Sequence, residues 1–208
     1  MRQRLLLVGA SGLAREVLAA GLQDVVGLLD DDLELHGTDV SGVPVVGSVS
    51  SAAQRDEALL VCVGPSAGRR HIVQRLSRLG VRDSRYATYL APSARIGESS
   101  TVGHGSIVLD NVVVTADAFL GRHVVVMPNC TITHDDVVED FSTLAAGVTL
   151  GGAVRIHEAA YIGMNASVRQ GLTVGADAQV GMGTVVLENV PGKETWVGVP
   201  ARPIGVNA

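Results

Sequence analysis

The sequence predicts two architectures in tandem: an α/β N-terminal unit of Rossmann-like βαβ type with a parallel sheet, then an all-β parallel β-helix of five to six coils. Three observations predict this. An unbroken period of six residues runs through the second half of the chain. Glycine is abundant, 25 of 208 residues, while aromatics make up only 3%. The first 88 residues break that period and alternate strand-like and helix-like segments instead.

The period starts at Leu90 and continues through Ile96, Val102, Val108, Val114, Leu120, Val126, Ile132, Val138, Leu144, Leu150, Ile156, Ile162, Val168, Val174, Val180 and Val186. All seventeen are branched aliphatics. A helix repeats its faces near 3.6 residues and a flat strand near 2, so neither uses a period of six. A short strand plus a corner, repeated as a coil, does. Glycine often follows the aliphatic, as at Gly97, Gly103, Gly121, Gly151, Gly163, Gly175 and Gly181. Small residues recur two places before it, as at Ala94, Ala118, Cys130 and Ala166. Three hexads close a triangular coil of eighteen residues, with neighbouring coils about 4.8 Å apart. Val112, Val124, Val148 and Val154 are expected to add apolar surface on the flat outer faces.

In the N-terminal unit, Arg4 to Val8 reads as a strand, followed by Gly9-Ala10-Ser11-Gly12 and a helical stretch from Leu13 to Ala20. Val25 to Leu29 is a second strand ending in Asp30-Asp31-Asp32, and Leu59 to Val63 a third, followed by Gly64-Pro65-Ser66. A helix runs from about Ala67 to Leu79, with Gly80 as its cap. Strand, glycine loop, helix and strand form the mononucleotide-binding half of a doubly wound fold. The plainer alternative is a glycine turn that only packs a strand on a helix. The acids after the second strand favour nucleotide binding, because acids there hold a ribose or a sugar amine. The boundaries expected are 1–88, 89–188 for the β-helix and 189–208 for a C-terminal tail.

Composition excludes several classes. Net charge is −5 and no basic block exceeds two residues, which argues against nucleic acid. No apolar run approaches eighteen residues, so no membrane insertion is expected. The run Leu5 to Ala10 is too short for a signal peptide and meets Arg15-Glu16 at once. Cys62 and Cys130 lie in apolar runs and make no disulfide framework, so a reducing, cytoplasmic setting is expected. The six histidines form no trio on one face of the prism, and no metal is expected.

His134 stands out by its neighbours, Thr131-Ile132-Thr133-His134-Asp135-Asp136. An adjacent carboxylate fixes one imidazole nitrogen and raises the basicity of the other. One coil further on lies Gly152, whose bare amide is suited to stabilise an oxyanion. A base plus an oxyanion donor is the minimum for acyl transfer; a solvated histidine is the bland reading. Cys130 holds a small inward position, where burial makes a thiol inert. The run Asp135, Asp136, Glu139, Asp140 reads either as an attractor for a cationic amine or as a solvated corner.

The unbroken hexads resemble the left-handed β-helix acyltransferases. The tail Trp196-Val197-Gly198-Val199-Pro200-Ala201-Arg202-Pro203-Ile204 is similar to their terminal signature. The glycine loop, Leu29-Asp30-Asp31, Gly64 and Ala91-Pro92-Ser93-Ala94-Arg95-Ile96-Gly97 resemble the subfamily of sialic acid O-acetyltransferases and bacterial nucleotide-amino-sugar N-acetyltransferases. The resemblance implies a left-handed coil, a homotrimer with acetyl-CoA between neighbouring β-helices, and a nucleotide sugar cradled by the N-terminal unit. It makes His134 the base, Asp135 its partner and Gly152 the donor to the thioester carbonyl. It assigns the sugar nucleotide to Gly9, Ser11, Gly12, Asp30, Asp31 and Gly64, and CoA to Gly152, Gly181, Met182, Pro200 and Arg202. Two positions depart from the pattern: Leu13 and Thr143 stand where the family often has histidine. The activity implied is acetylation of the amino group of a nucleotide-linked sugar, a UDP-linked 4-amino-4,6-dideoxy sugar, in bacterial surface-glycan biosynthesis. O-acetylation of a sialic-acid-like sugar is the first alternative, and a non-catalytic scaffold or sugar-nucleotide sensor the second.

Overall fold

The structure is a computed structural model describing residues 4–205. β1 (Leu5–Val8) lies between β2 (Val25–Leu29) and β5 (Ala58–Val61), and both pairings are parallel. Between them a short antiparallel pair, β3 (Asp39–Val40) and β4 (Val43–Pro44), leads back towards the sheet. β1 and β5 are buried throughout, as expected of a sheet covered on both sides. α1 (Gly12–Ala19) starts where the Ser11 hydroxyl accepts from Leu13 N–H at 3.2 Å. It buries Leu13, Ala14 and Val17 with Leu5, Leu7, Leu28 and Leu60. α2 (Ser66–Arg78) buries Val73 and Leu76 on the opposite layer with Leu6, Val8, Leu29 and Leu59. Gly80 then leaves the helix at φ +89°.

From Tyr89 onward every hexad forms a two-residue strand ending on the predicted aliphatic. The strands stack as three parallel sheets, and each residue pairs with the one eighteen further on, Val113 with Thr131 and Thr143 with Tyr161. The first face includes Ile107–Val108, Val125–Val126, Thr143–Leu144 and Tyr161–Ile162. The second includes Val113–Val114, Thr131–Ile132 and Thr149–Leu150, and the third Phe119–Leu120, Val137–Val138 and Arg155–Ile156. From Val108 to Val186 the aliphatics are buried in one continuous core. Each contributes about 1.5–3 kcal/mol by leaving water. At the open end Ile96 and Val102 are only partly covered and Leu90 is 43% exposed. Trp196 closes the other end.

Two details correct the expectations. Val112, Val124, Val148 and Val154 are core residues, at most 1% exposed, not outer surface. They occupy the same position as Ala118 and Cys130, which points into the prism, and the prism is wide enough for valine there. Corners are made by the residue three before the aliphatic, which takes positive φ at Asn111, Asp117, Asn129, Asp135, Asn165 and Asp177. Asn and Asp tolerate that region better than other side chains. Glycine after the aliphatic serves close approach instead: a Cβ on Gly163 would lie 2.6 Å from Met182 N, in the coil beyond.

The N-terminal unit sits on the first face. Ile107, Leu109 and Val125 turn outward there and join the cluster of Leu5, Leu7 and Leu13. Arg69 of α2 is fully buried at this junction. Its guanidinium donates to the carbonyls of Val63 and Gly64 on one side, and to those of His123, Phe141 and Ser142 on the other. A planar fork with five donors is the one side chain able to satisfy so many carbonyls. His123 stacks on Phe141 at 5.2 Å and meets Tyr86 edge-on; burial lowers its pKa to about 4, so it stays neutral.

Candidate active site

His134 is at the edge where the second face turns into the third, just after the strand Thr131–Ile132. Its side chain is 66% exposed. Asp135 takes the positive-φ corner position, φ +61°, which swings its carboxylate alongside the ring. Nδ1 of His134 donates to Asp135 Oδ2 at 2.8 Å. A carboxylate only accepts, so Nδ1 carries the proton and Nε2 is the free base. The hydrogen bond to Asp135 holds the imidazole pKa above its usual value.

Gly152 lies one coil on, against this ring: a Cβ there would overlap Nε2 and Cε1 of His134. The Gly152 carbonyl accepts from Gly171 N–H at 2.9 Å. Among the described residues its N–H has no protein acceptor, and the residue is partly exposed. A lone-pair base and a free amide donor thus share one corner.

The acidic run divides. Asp136 is fully buried, and its carboxylate accepts from Thr133 N–H at 2.7 Å and Val154 N–H at 2.8 Å. Burial raises its pKa to about 6. Glu139 pairs with His157 and Arg155, and Asp140 with Arg122. Asp135 alone of the four faces solvent beside the base. Cys130 is buried, with its thiol pushed up to about 11.

A cavity of about 780 Å³ lies between the N-terminal unit and the first face. Gly12, Gly64, Pro65, Thr143, Tyr161 and Met164 are among its walls. The first residues of both α1 and α2 line it, so the N-termini of two helices border it. Of the expected sugar-nucleotide residues, Gly12 and Gly64 reach this cavity; Gly9, Ser11, Asp30 and Asp31 do not line it. They build the loop behind it. Asp30 accepts from Ala10 N–H at 2.7 Å, Ser11 Oγ donates to Cys62 O at 2.7 Å, and Asp31 pairs with Arg75 at 2.6 Å. Gly9 has φ +100°, and a Cβ there would lie 2.7 Å from Val63 Cγ2. Leu13 and Thr143, the departures from the family pattern, both line the cavity. Thr143 Oγ1 accepts from Arg69 and donates to Gly64 O at 3.1 Å.

The cavity covers the first face, whereas His134 is on the edge opposite that face. Gly181 and Met182 continue the cavity's own edge, one coil beyond Met164, and Met182 is 74% exposed. Pro200 and Arg202 are in the tail, where Arg202–Pro203 pairs with Trp196 and Val197, and Val197 packs against Gly181. One chain therefore does not bring Gly152 together with the other four expected CoA residues. Sequence reasoning missed Arg69, and it singled out Asp136 only as one of an acidic run, not as a buried carboxylate. Arg69 carried no signal apart from a basic pair in an amphipathic helix; Asp136 could have been found as the one carboxylate in the small inward series.

No family model matches the chain. The acetyltransferase domain of PglB from Neisseria gonorrhoeae has the same fold, with TM-score 0.87 and 31% identity over 98% of this chain and 100% of that one. The chain belongs to the hexapeptide-repeat sugar N-acetyltransferases. It is accordingly an acetyl-CoA-dependent acyltransferase, and the gonococcal domain has also been solved with acetyl coenzyme A. A histidine-to-alanine mutant of GDP-perosamine N-acetyltransferase from Caulobacter crescentus, in complex with CoA and GDP-perosamine, matches with TM-score 0.88 and 28% identity, covering 99% of this chain and 98% of that one. GDP-perosamine N-acetyltransferase of Escherichia coli O157:H7 is 34% identical over 116 residues, about half of either protein. Among the described residues no helix is long and apolar enough to cross a membrane, and no cluster of His, Cys, Asp or Glu is arranged to hold a metal.

Proposed function

We propose that this N-acetyltransferase transfers the acetyl group of acetyl-CoA to the amine of a nucleotide-linked amino sugar, with His134 as general base. The observation that carries the mechanism is the corner where the free Nε2 of His134 meets the amide of Gly152. The amine nitrogen attacks the thioester carbon. Its proton passes to Nε2, while Asp135 orients the ring and stabilises the imidazolium. Gly152 N–H donates to the tetrahedral oxyanion. Collapse expels the CoA thiolate, which takes the proton back from His134. No covalent enzyme intermediate is required.

The cavity suits the sugar nucleotide, with the diphosphate at the two helix N-termini and Gly12 and Gly64 allowing close approach. Asp30, Asp31, Ser11 and Gly9 act by shaping that loop. The family resemblance implies a UDP-linked 4-amino-4,6-dideoxy sugar used in surface-glycan synthesis, while the Caulobacter neighbour holds a GDP-linked one. Both belong in the substrate panel. Because the cavity and the base lie on opposite sides of one prism, a complete site requires a neighbouring copy, and a cyclic homotrimer supplies one at each interface. Light scattering should give roughly three times the 21.5 kDa chain mass, and a monomer at micromolar concentration would overturn this arrangement. CoA then bridges Gly152 of one copy and Gly181, Met182, Pro200 and Arg202 of the next.

The base is tested by His134→Asn, which keeps polarity and approximate size but removes the basic nitrogen. A general base typically contributes 10² to 10⁴ in rate. The expected result is kcat lower by about a hundredfold or more, with both KM values within a few-fold. Retention of more than a tenth of wild-type kcat would remove His134 from the mechanism.

A further inference from the structure

Sixteen hexads of the β-helix place a residue two before the aliphatic, from Ala94 to Thr184, and fifteen of these are Ala, Ser, Val, Leu, Cys or Thr. The sixteenth is Asp136. It is fully buried, and it sits two residues after the base. A carboxylate inside an aliphatic prism is costly unless its lone pairs are satisfied. Here each oxygen takes a backbone N–H, Oδ2 from Thr133 and Oδ1 from Val154. Thr133 directly precedes His134; Val154 is two residues beyond Gly152. One carboxylate thus holds the chain on both sides of the reacting corner. Thr133 Oγ1 adds a second tie to the next coil, donating to Leu150 O at 3.1 Å.

Ordinary serines at this position show what the fold alone needs. Ser106 Oγ accepts from Val124 N–H at 2.9 Å, and Ser100 Oγ from Ala118 N–H at 3.0 Å. These are the counterparts of the Asp136 bond to Val154. The serines lack the second arm, the bond back to the residue before the corner. The pKa of Asp136, raised to about 6 by burial, still leaves it ionised at neutral pH, the form that accepts from both amides.

We propose that Asp136 is a positioning residue, which fixes the His134 corner and the Gly152 corner relative to one another so that base and oxyanion donor converge on the same tetrahedral centre. This rests on His134 being the base. The gain comes from geometry: a misplacement of about 1 Å can cost a hundredfold in rate.

The test is Asp136→Ser, which retains the acceptor for Val154 N–H that the coil uses elsewhere and deletes the arm to Thr133. Asp136→Asn is the second variant, matching the size but offering one acceptor oxygen instead of two. Each should lower kcat by about tenfold or more, with the KM for acetyl-CoA and for the sugar nucleotide within a few-fold. In a His134→Asn background the same substitutions should cost no more than about twofold, because the group they position is gone. A kcat within threefold of wild type for a folded Asp136→Ser would overturn the proposal. So would an undiminished loss in the His134→Asn background, which would mean that Asp136 acts elsewhere. The two readings fail separately: a fully active His134→Asn sinks the base itself, whereas an inactive His134→Asn beside an active Asp136→Ser sinks only the positioning role.

Discussion

Gly152→Ala probes the reacting corner with a single methyl group. The added Cβ would overlap Nε2 and Cε1 of His134, so the imidazole must move. It can do so cheaply for the fold, because its side chain is 66% exposed and belongs to no core. Gly152 lies outside the left-handed φ region, so alanine fits its backbone, and stability should change by no more than about 1 kcal/mol. The catalytic consequence is larger. Rotating the ring away from the methyl breaks the 2.8 Å bond to Asp135 and carries Nε2 off its line to the nucleophile. A displacement on that scale costs about a hundredfold in kcat. The Gly152 N–H remains, so the loss reports on base alignment. Steady-state release of CoA thiol gives kcat, and thermal unfolding gives stability. A folded Gly152→Ala with kcat within threefold of wild type would refute the stacking of base and glycine.

Three further predictions concern charge and packing. Asp135 holds the His134 pKa above its ordinary value, so the limb of kcat/KM that rises with pH should lie above about 6.5 and move down in Asp135→Asn; an unmoved limb would show that another group titrates. Asp136 has a folded pKa of about 6 against 3.8 when exposed, so the folded state holds its proton longer and stability is lost as pH rises through about 6. Relative to Asp136→Ser, the wild type should therefore lose up to about 3 kcal/mol between pH 4 and 7, and denaturant titrations showing parallel pH curves would contradict that. Arg69→Leu removes the donor that five carbonyls share, those of His123, Phe141 and Ser142 being buried, and should cost about 3 kcal/mol or more, read as a drop in Tm of several degrees; an unchanged Tm would mean that the two units are held by apolar contact alone.

The β-helix was legible because a single rule, one branched aliphatic every six residues, decides burial for the whole prism. The eighteen-residue coil follows from it, and with it the meeting of His134 and Gly152. What the rule cannot show is which outer positions are covered. Ile107 and Val125 face outward from their strands, yet they are core because the N-terminal unit sits on them. Val112 and Val148 are a different case: they point into the prism beside Ala118 and Cys130, and placing them there requires knowing that the prism is wide enough for valine. The corner residues were partly legible: Asn and Asp three places before the aliphatic mark the positive-φ turns, but His123, Phe141, Ala153 and Ala159 take the same conformation without any such signal. Chain position and the family resemblance together point to Asp30 and Asp31 as ligand contacts. Their bonds to Ala10 and Arg75 appear only once the loop and α2 are brought together in space. The clasp of Arg69 depends on carbonyls more than fifty residues apart from it, and no local pattern encodes that.

The central claim is that the chain acetylates the amine of a nucleotide-linked amino sugar. The most direct measurement incubates the purified protein with acetyl-CoA and a panel of UDP- and GDP-linked 4-amino sugars, alongside the matching 4-hydroxy sugars and a free sialic-acid-like sugar, and identifies the product by mass and NMR. The account predicts thiol release with at least one amino sugar, an amide as the product, and no turnover of its hydroxyl counterpart. An ester product on the sialic-acid-like sugar, with no reaction at any amine, would contradict it.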